Sequence, residues 1–352
     1  LIMRKKILHL VGTLDVGGIE KWVVNMINYE LENKNELDFY LYSLDPHKKQ
    51  IVKQINLDEN SITYTNKKNI FSRMYGFYCL MKKISPDVIH YHPGYSSGIY
   101  LFISKIFFKK INIVHSHSDR RSIDRRSSIF KKIYIFIMKF LINRLSDYKI
   151  AVSERAGKSL FYGSFITHYC GVPDIMLSLP DIKKVSSSEF KIYHIGRNSD
   201  AKNYPFIFSI AHSLREYENV HIYCMGAGLE LLQKKSQEEN LKNMHFLGFI
   251  ENPLSHIYIH ANVFIMPSLW EGLPLSVVEA QKCNVPCLVS DTITKECDIG
   301  MAEFLPLDVS IWQERILNIY KEGYLMKEVN KSKFSLEQDI LFFKKIYRDA
   351  RK

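Results

Sequence analysis

Residues 263–290 read as one complete strand–turn–helix–strand unit, and such a unit is at home on a parallel sheet. Val263 to Met266 is an apolar run of strand length, ended by Pro267 and Ser268. Glu271 and Gly272 fall on the turn. Pro274 suits the first turn of a helix, where its missing N–H costs nothing, and the helix runs through Val277, Val278 and Ala280 to about Lys282. Val285 to Ser290 supplies the next strand. Two carboxylates, Glu271 and Glu279, therefore bracket a helix start that Gly272, Leu273 and Pro274 leave open. Amides near Leu275 and Ser276 can meet an anion there, while the carboxylates accept hydrogen bonds from hydroxyls. The stretch suits a ligand carrying both phosphate and sugar. The plainer alternative is a pair of glutamates favoured only by the helix dipole.

The same alternation recurs along the chain. Ile7 to Val11 is a first strand, followed by Gly17-Gly18 and a helix with Ile19, Val23 and Ile27 at helical spacing. The glycine pair lets backbone amides face an anion, although the turn lacks GxGxxG. Further strands are expected at 37–44, 61–64, 88–91, 111–115 and 149–152, with helices at 71–84, 97–108 and 130–145. A stretch rich in Pro, Asp, Lys and Ser interrupts the pattern at 173–189, after which a second series begins. Its strands fall at 190–195, 220–225 and 245–247, with helices at 206–214, 253–260, 311–321 and 336–348. The 352 residues thus divide into a domain at 1–172, a linker at 173–189, a domain at 190–334 and a terminal helix within 335–352.

Arg197 and Lys202 share the loop after one strand, a planar fork and a point charge that can converge on one anion. Two HxH pairs, His90/His92 and His115/His117, end two other strands, and alternation points both members of each pair to one side. A four-histidine metal site is conceivable there, but no acidic partner lies nearby in sequence, and no metal is expected. The six cysteines form no CxxC pair and read as free thiols of a reducing compartment. No signal peptide and no run of about eighteen apolar residues is evident.

These residues together resemble glycosyltransferases of family 4, retaining enzymes with the GT-B fold. The resemblance rests on Glu271-x7-Glu279 within PSLWEGLPLSVVEA, on Gly196-Arg197 with Lys202-Asn203, on LDVGGIEKWVVN, and more weakly on the HSHSD run. It extends over the whole chain and is nearest to bacterial exopolysaccharide, capsule and O-antigen enzymes. It implies an α/β architecture of two Rossmann-like domains facing across a cleft, with the nucleotide sugar mainly in the C-terminal half. The terminal helix would return to the first domain. Arg197 and Lys202 would stabilise the departing diphosphate without a divalent metal or other cofactor. Glu279 would bind ribose and Glu271 the donor sugar, helped by backbone from Gly272 to Ser276. Gly17, Gly18, Gly196, Gly226 and Ile250 would flank the nucleotide. His117 matches the family histidine near the reacting sugar, with His115 as the alternative, and His92 lines the acceptor side. UDP is the expected nucleotide.

The net charge of +11 is concentrated. Fourteen Lys or Arg against four Asp or Glu lie between Leu101 and Lys158, a local excess of +10. Arg120, Arg121, Arg125 and Arg126 precede a very apolar helix, a pattern suited to an anionic membrane surface or a pyrophosphate-linked acceptor. In the contrary reading Ile133, Ile137, Phe140 and Leu141 simply pack on the sheet. No nucleic-acid motif accompanies the charge. The sequence is thus read as a hexosyltransferase using a lipid-linked saccharide acceptor, cytoplasmic and peripheral at the inner face of the membrane. The rivals are a sugar-nucleotide epimerase of the same fold and a non-catalytic partner subunit.

Overall fold

In KKILHLV, the first strand β1 (Lys5–Val11), alternation sends Leu8 and Leu10 to one side of the sheet and His9 to the other. The computed structural model describes residues 4–349, apart from 16, 34–35, 48–49, 66–68, 174–188, 251–256, 258–259 and 325–326. The chain divides into two compact units, 1–173 with 334–352, and 174–333. All but the ends of the 173–189 stretch lies outside the described residues, as does the 253–260 helix apart from Ile257 and His260.

In the first unit β1 is joined by β2 (Leu37–Ser43), β3 (Ile62–Tyr64), β4 (Val88–Tyr91), β5 (Ile111–Ser116), β6 (Tyr148–Ala151) and β7 (Ile166–Thr167). All pair in parallel, in the order β3-β2-β1-β4-β5-β6-β7. The chain moves outward from β1 to β3, then returns to add β4 on the other side of β1. Such a reversal opens a crevice beyond the C-terminal ends of β1 and β4. Helices Ile70–Ile84, Ser97–Ile103 and Ile129–Leu145 cover the face of Leu8 and Leu10, through Phe77, Met81, Leu101 and Ile142.

Helices Gly18–Asn33 and Leu336–Asp349 cover the face of His9. Trp22 Nε1 donates to Asp339 Oδ2 at 2.5 Å, and the buried Lys344 pairs with Glu30 at 2.8 Å. Lys5 Nζ donates to the last carbonyls of the terminal helix, at Tyr347 and Arg348, where a cation complements the helix dipole.

The second unit repeats the plan with β8 (Phe190–Ile195), β9 (Val220–Met225), β10 (Met244–Gly248), β11 (Val263–Met266), β12 (Cys287–Ser290) and β13 (Ala302–Leu305). The order β10-β9-β8-β11-β12-β13 is again all parallel, with the reversal between β8 and β11. Its core joins Ile192, Ile222, Val263, Ile265 and Leu288 to Ile207, Ile210, Trp312 and Ile316 of flanking helices. The architecture is α/β, two Rossmann-like domains. The short strands β7 and β13 have too little apolar pattern to be read from sequence. The helix after β11 spans Leu275–Lys282, so Pro274 is its cap rather than its first residue, with φ −77° and ψ 88°.

Candidate functional sites at the two sheet crevices

In the second unit, the loops that leave β8 and β11 meet at the reversal point. Lys202, on the β8 loop, brings Nζ to 2.8 Å from Glu271 Oε1 on the β11 loop. The Ser268 hydroxyl donates to the same oxygen at 2.9 Å. Asn203, held at φ 52°, donates its side-chain amide to the Pro267 carbonyl, and Leu269 N donates to Ala201 O. The two loops are therefore one structure, although 69 residues separate the charged pair.

Glycine is required where these loops crowd. A Cβ on Gly196 would come within 3 Å of the Lys202 stem and His194 Nε2, and one on Gly226 would run into the Gly196 carbonyl. His194 lies beneath, fully buried, its Nδ1 bonded to the Ile265 carbonyl at 3.0 Å. Burial, with the Lys202 charge second, pushes its pKa down to about 3. Nothing in the sequence singled it out. Arg197 is exposed and unpaired among the described residues.

Gly272, Leu273 and Pro274 are buried, whereas Leu275 and Ser276 at the helix start are half-buried. Glu279 is the fifth residue of that helix and 8% exposed. The helix is anchored by Gln281, fully buried, whose amide donates to Val277 O and Cys297 O while its oxygen accepts from Ile299 N and Met301 N. Ile250 is half-buried just beyond β10.

In the first unit a cavity of about 350 Å³ opens beyond β1, β4 and β5. His92, Ser116 and His117 line it together with Glu20 and Arg120. Gly17 and Gly18 do not line it, although Ile19 and Glu20 do; Gly17 accepts the Lys21 amide and Gly18 begins the helix. A side chain at Gly17 would meet the Glu20 carboxylate, which accepts from the Thr13 hydroxyl at 3.1 Å.

Both HxH pairs do face one side of the sheet, with ring centroids 4.2 Å apart in the first and 4.0 Å in the second. They are joined by residues distant in sequence: His9 from β1, Trp22 from the first helix, and Phe343 and Tyr347 from the terminal helix. His92 bonds His9 at 3.0 Å and His117 at 2.9 Å. Burial pushes His9 and His117 down to about 3 and holds His90, His92 and His115 well below the usual imidazole range, so all five are neutral near pH 7. Two trios of these rings, and Glu189 with His221 and His245 in the second unit, bring one ligating atom each within 4.8 Å of one another. Both trios need His92, whose two nitrogens are already engaged by His9 and His117.

The four arginines have separate environments. Arg120 lines the cavity and lies over the Tyr95 ring, Arg121 forks onto Asp119, and Arg125 and Arg126 are exposed. Arg121 to Arg125 form one helical turn. In the next helix Ile135, Met138 and Ile142 are the buried residues, while Ile133, Ile137 and Phe140 point outward. The contrary reading, in which these last three pack on the sheet, does not hold for them. With Ile129, Phe130 and Phe136 they form an exposed apolar stripe beside Lys131 and Lys132. No described helix is long and apolar enough to cross a membrane.

Comparison with known proteins agrees with this layout. The sequence profile of glycosyl transferases group 1 matches residues 179–299. EpsF of Bacillus subtilis (strain 168), assigned as a glycosyltransferase, is 24% identical over 92% of this chain and 90% of its own length. An Escherichia coli UDP-Gal:alpha-D-GlcNAc-diphosphoundecaprenol alpha-1,3-galactosyltransferase is 33% identical over 26% of this chain and 27% of its own. Among solved structures, Anabaena HepE in complex with UDP and glucose superposes with a TM-score of 0.77 at 14% identity, covering 99% of this chain and 100% of its own, a likeness of fold. The chain is thus similar to group 1 glycosyltransferases through residues 179–299, and to EpsF over nine-tenths of its length.

Proposed function

We propose that the protein transfers a hexose, with retention of anomeric configuration, from a UDP-sugar to a lipid-linked saccharide during synthesis of a bacterial surface polysaccharide. The observation that carries this reading is the convergence of Lys202, Glu271 and the Leu275–Lys282 helix start at the β8/β11 reversal. A nucleoside diphosphate leaving group needs cations and amides where its charge develops. Lys202 and the exposed Arg197 supply the cations, and the helix start supplies amides. Glu279 accepts hydrogen bonds from ribose and Glu271 from the donor sugar, with Gly196, Gly226 and Ile250 beside the nucleotide. Because lysine and arginine stabilise the diphosphate, the reaction needs no divalent metal.

The acceptor is assigned to the first unit. His117 and His92 line the acceptor path, while Gly17 and Gly18 set the turn into the first helix. The helix Ile129–Leu145 gives Lys131, Tyr134 and Ile135 to the cavity wall and its apolar stripe to the surface. One element thus joins a cavity holding Arg120 to a face suited to anionic lipid. A lipid diphosphate-saccharide can rest its chain in the membrane and its pyrophosphate near Arg120. Arg125 and Arg126 add charge to that face. The matching Escherichia coli enzyme, by its name, acts on a diphosphoundecaprenol acceptor.

A thermal-shift screen of nucleotide hexoses tests the donor, since a ligand at 100 times its Kd adds about 2.7 kcal/mol to stability. Transfer to a lipid diphosphate-saccharide, with product anomer read by NMR, tests the reaction. Stabilisation by a UDP-hexose and retained configuration are expected. Product formed from the donor alone, or inversion, would overturn it.

A further inference from the structure

Behind the cavity wall runs a line of hydrogen bonds that the transfer reaction does not by itself require. His117 Nε2 lies 2.9 Å from His92 Nδ1, and His92 Nε2 lies 3.0 Å from His9 Nδ1. His9 Nε2 is 3.4 Å from the Tyr347 hydroxyl, which is 2.8 Å from His90 Nδ1. Strands β1 and β4, the residues just past the ends of β4 and β5, and the terminal helix contribute, so the line spans positions from 9 to 347.

A neutral imidazole carries one N–H and one lone pair. Each nitrogen–nitrogen contact must therefore hold one proton, since two protons or two lone pairs facing at 3 Å would replace attraction by repulsion. If His92 carries its proton on Nδ1, His117 Nε2 accepts it and His117 must be protonated on Nδ1. His92 Nε2 is then bare, and His9 must donate from Nδ1. In the opposite arrangement all three carry the proton on Nε2. Mixed states break a buried hydrogen bond and leave its two nitrogens unsatisfied. The Tyr347 hydroxyl serves either arrangement, accepting from one neighbour while donating to the other.

We propose that His9, His92 and Tyr347 are positioning residues that tie the tautomer of His117 to those of His9 and His92, so that the ring nitrogen not bonded to His92 changes its polarity toward a hydroxyl in the cavity only if all three rings change together. The inference rests on the reading that this cavity takes the sugar acceptor. The line couples tautomers rather than carrying protons. A proton received at His117 and passed inward would end as a cation on His90, a fully buried ring. Burial and the neighbouring histidines hold that ring neutral.

The test uses the whole protein labelled with ¹⁵N-histidine, its ring tautomers read from long-range ¹H–¹⁵N correlations at pH 7. His9, His92 and His117 are expected to be neutral and protonated at the same ring position. In His92→Asn, which cannot bridge both neighbours, the His117 resonances should move toward a tautomer average. His9→Asn gives the same readout should the first variant fail to fold. In transfer assays His92→Asn should lower kcat about tenfold with the KM for the donor unchanged. Opposite tautomers in two of the three rings, a charged ring among them, or ring signals that change on metal chelation would overturn the coupling. A wild-type protein without transfer activity would instead strike the proposed function, because the tautomer measurement does not depend on turnover.

Discussion

Lys202 and Glu271 form a 2.8 Å ion pair across the two loops that end β8 and β11, each side chain less than a fifth exposed. The pair gives the two loops one geometry and, in the proposed function, keeps an ammonium group where the donor diphosphate would meet it. It also ties the two loops' roles together. On the proposed reading, a phosphate that draws Lys202 away would release Glu271 toward a sugar hydroxyl.

Substitution of either partner is expected to act on transfer more than on folding. Lys202→Ala should lower kcat/KM for the UDP-sugar by about 10²–10³, the usual effect of losing a cation aimed at developing charge. Glu271→Gln should cost less, since an amide still accepts a hydrogen bond. Steady-state transfer assays check both, and a double variant far from the sum of the two would report their coupling.

Acid should unfold the first unit through its histidines. His9 and His117 are pushed down to about 3, and His90, His92 and His115 lie well below 6.5, because burial opposes their charge. The unfolded chain therefore binds protons that the folded chain refuses. Stability is full above about pH 6.5 and drains as pH falls toward 3, by about 1.4 kcal/mol per pH unit for each histidine. Denaturant midpoints at pH 7.5, 6.5, 5.5 and 4.5 should fall steeply. Midpoints flat across that range would contradict the burial of neutral rings.

The apolar stripe should carry membrane binding. Phe130 and Phe136 are 82% and 66% exposed, so Phe130→Ser with Phe136→Ser should change stability by less than about 0.5 kcal/mol. The pair should still weaken sedimentation with anionic vesicles by tenfold or more, given about 1.5–3 kcal/mol for each ring buried. Charge reversal of Arg125 and Arg126 should weaken it further at low salt. Unchanged sedimentation would remove the membrane from the account.

Gln281 offers a stability test at the helix that carries Glu279. Gln281→Leu leaves the amides of Ile299 and Met301 without their acceptor and the Cys297 carbonyl without its donor. A loss of roughly 2–4 kcal/mol is expected in urea unfolding.

What the sequence disclosed was local. The β11–turn–helix–β12 unit, the Gly196 to Asn203 loop and the one-sided alternation of the HxH pairs each follow from short-range pattern, and each is found in the structure. What it concealed was long-range or degenerate. No spacing rule brings His9, Trp22 and Tyr347 to His90, or Lys202 to Glu271. The Ile129–Leu145 helix is apolar around most of its circumference, so periodicity could not tell which stripe faces in. The structure buries Ile135, Met138 and Ile142 and turns Ile133, Ile137 and Phe140 outward.

Titration calorimetry with UDP tests the central claim most directly, because it needs neither acceptor nor membrane. Wild-type protein should bind UDP, and both Lys202→Ala and Glu279→Ala should weaken that binding at least tenfold, about 1.4 kcal/mol. Equal affinity in all three proteins, or no binding of UDP by the wild type, would contradict a nucleotide-sugar site at the β8/β11 crevice.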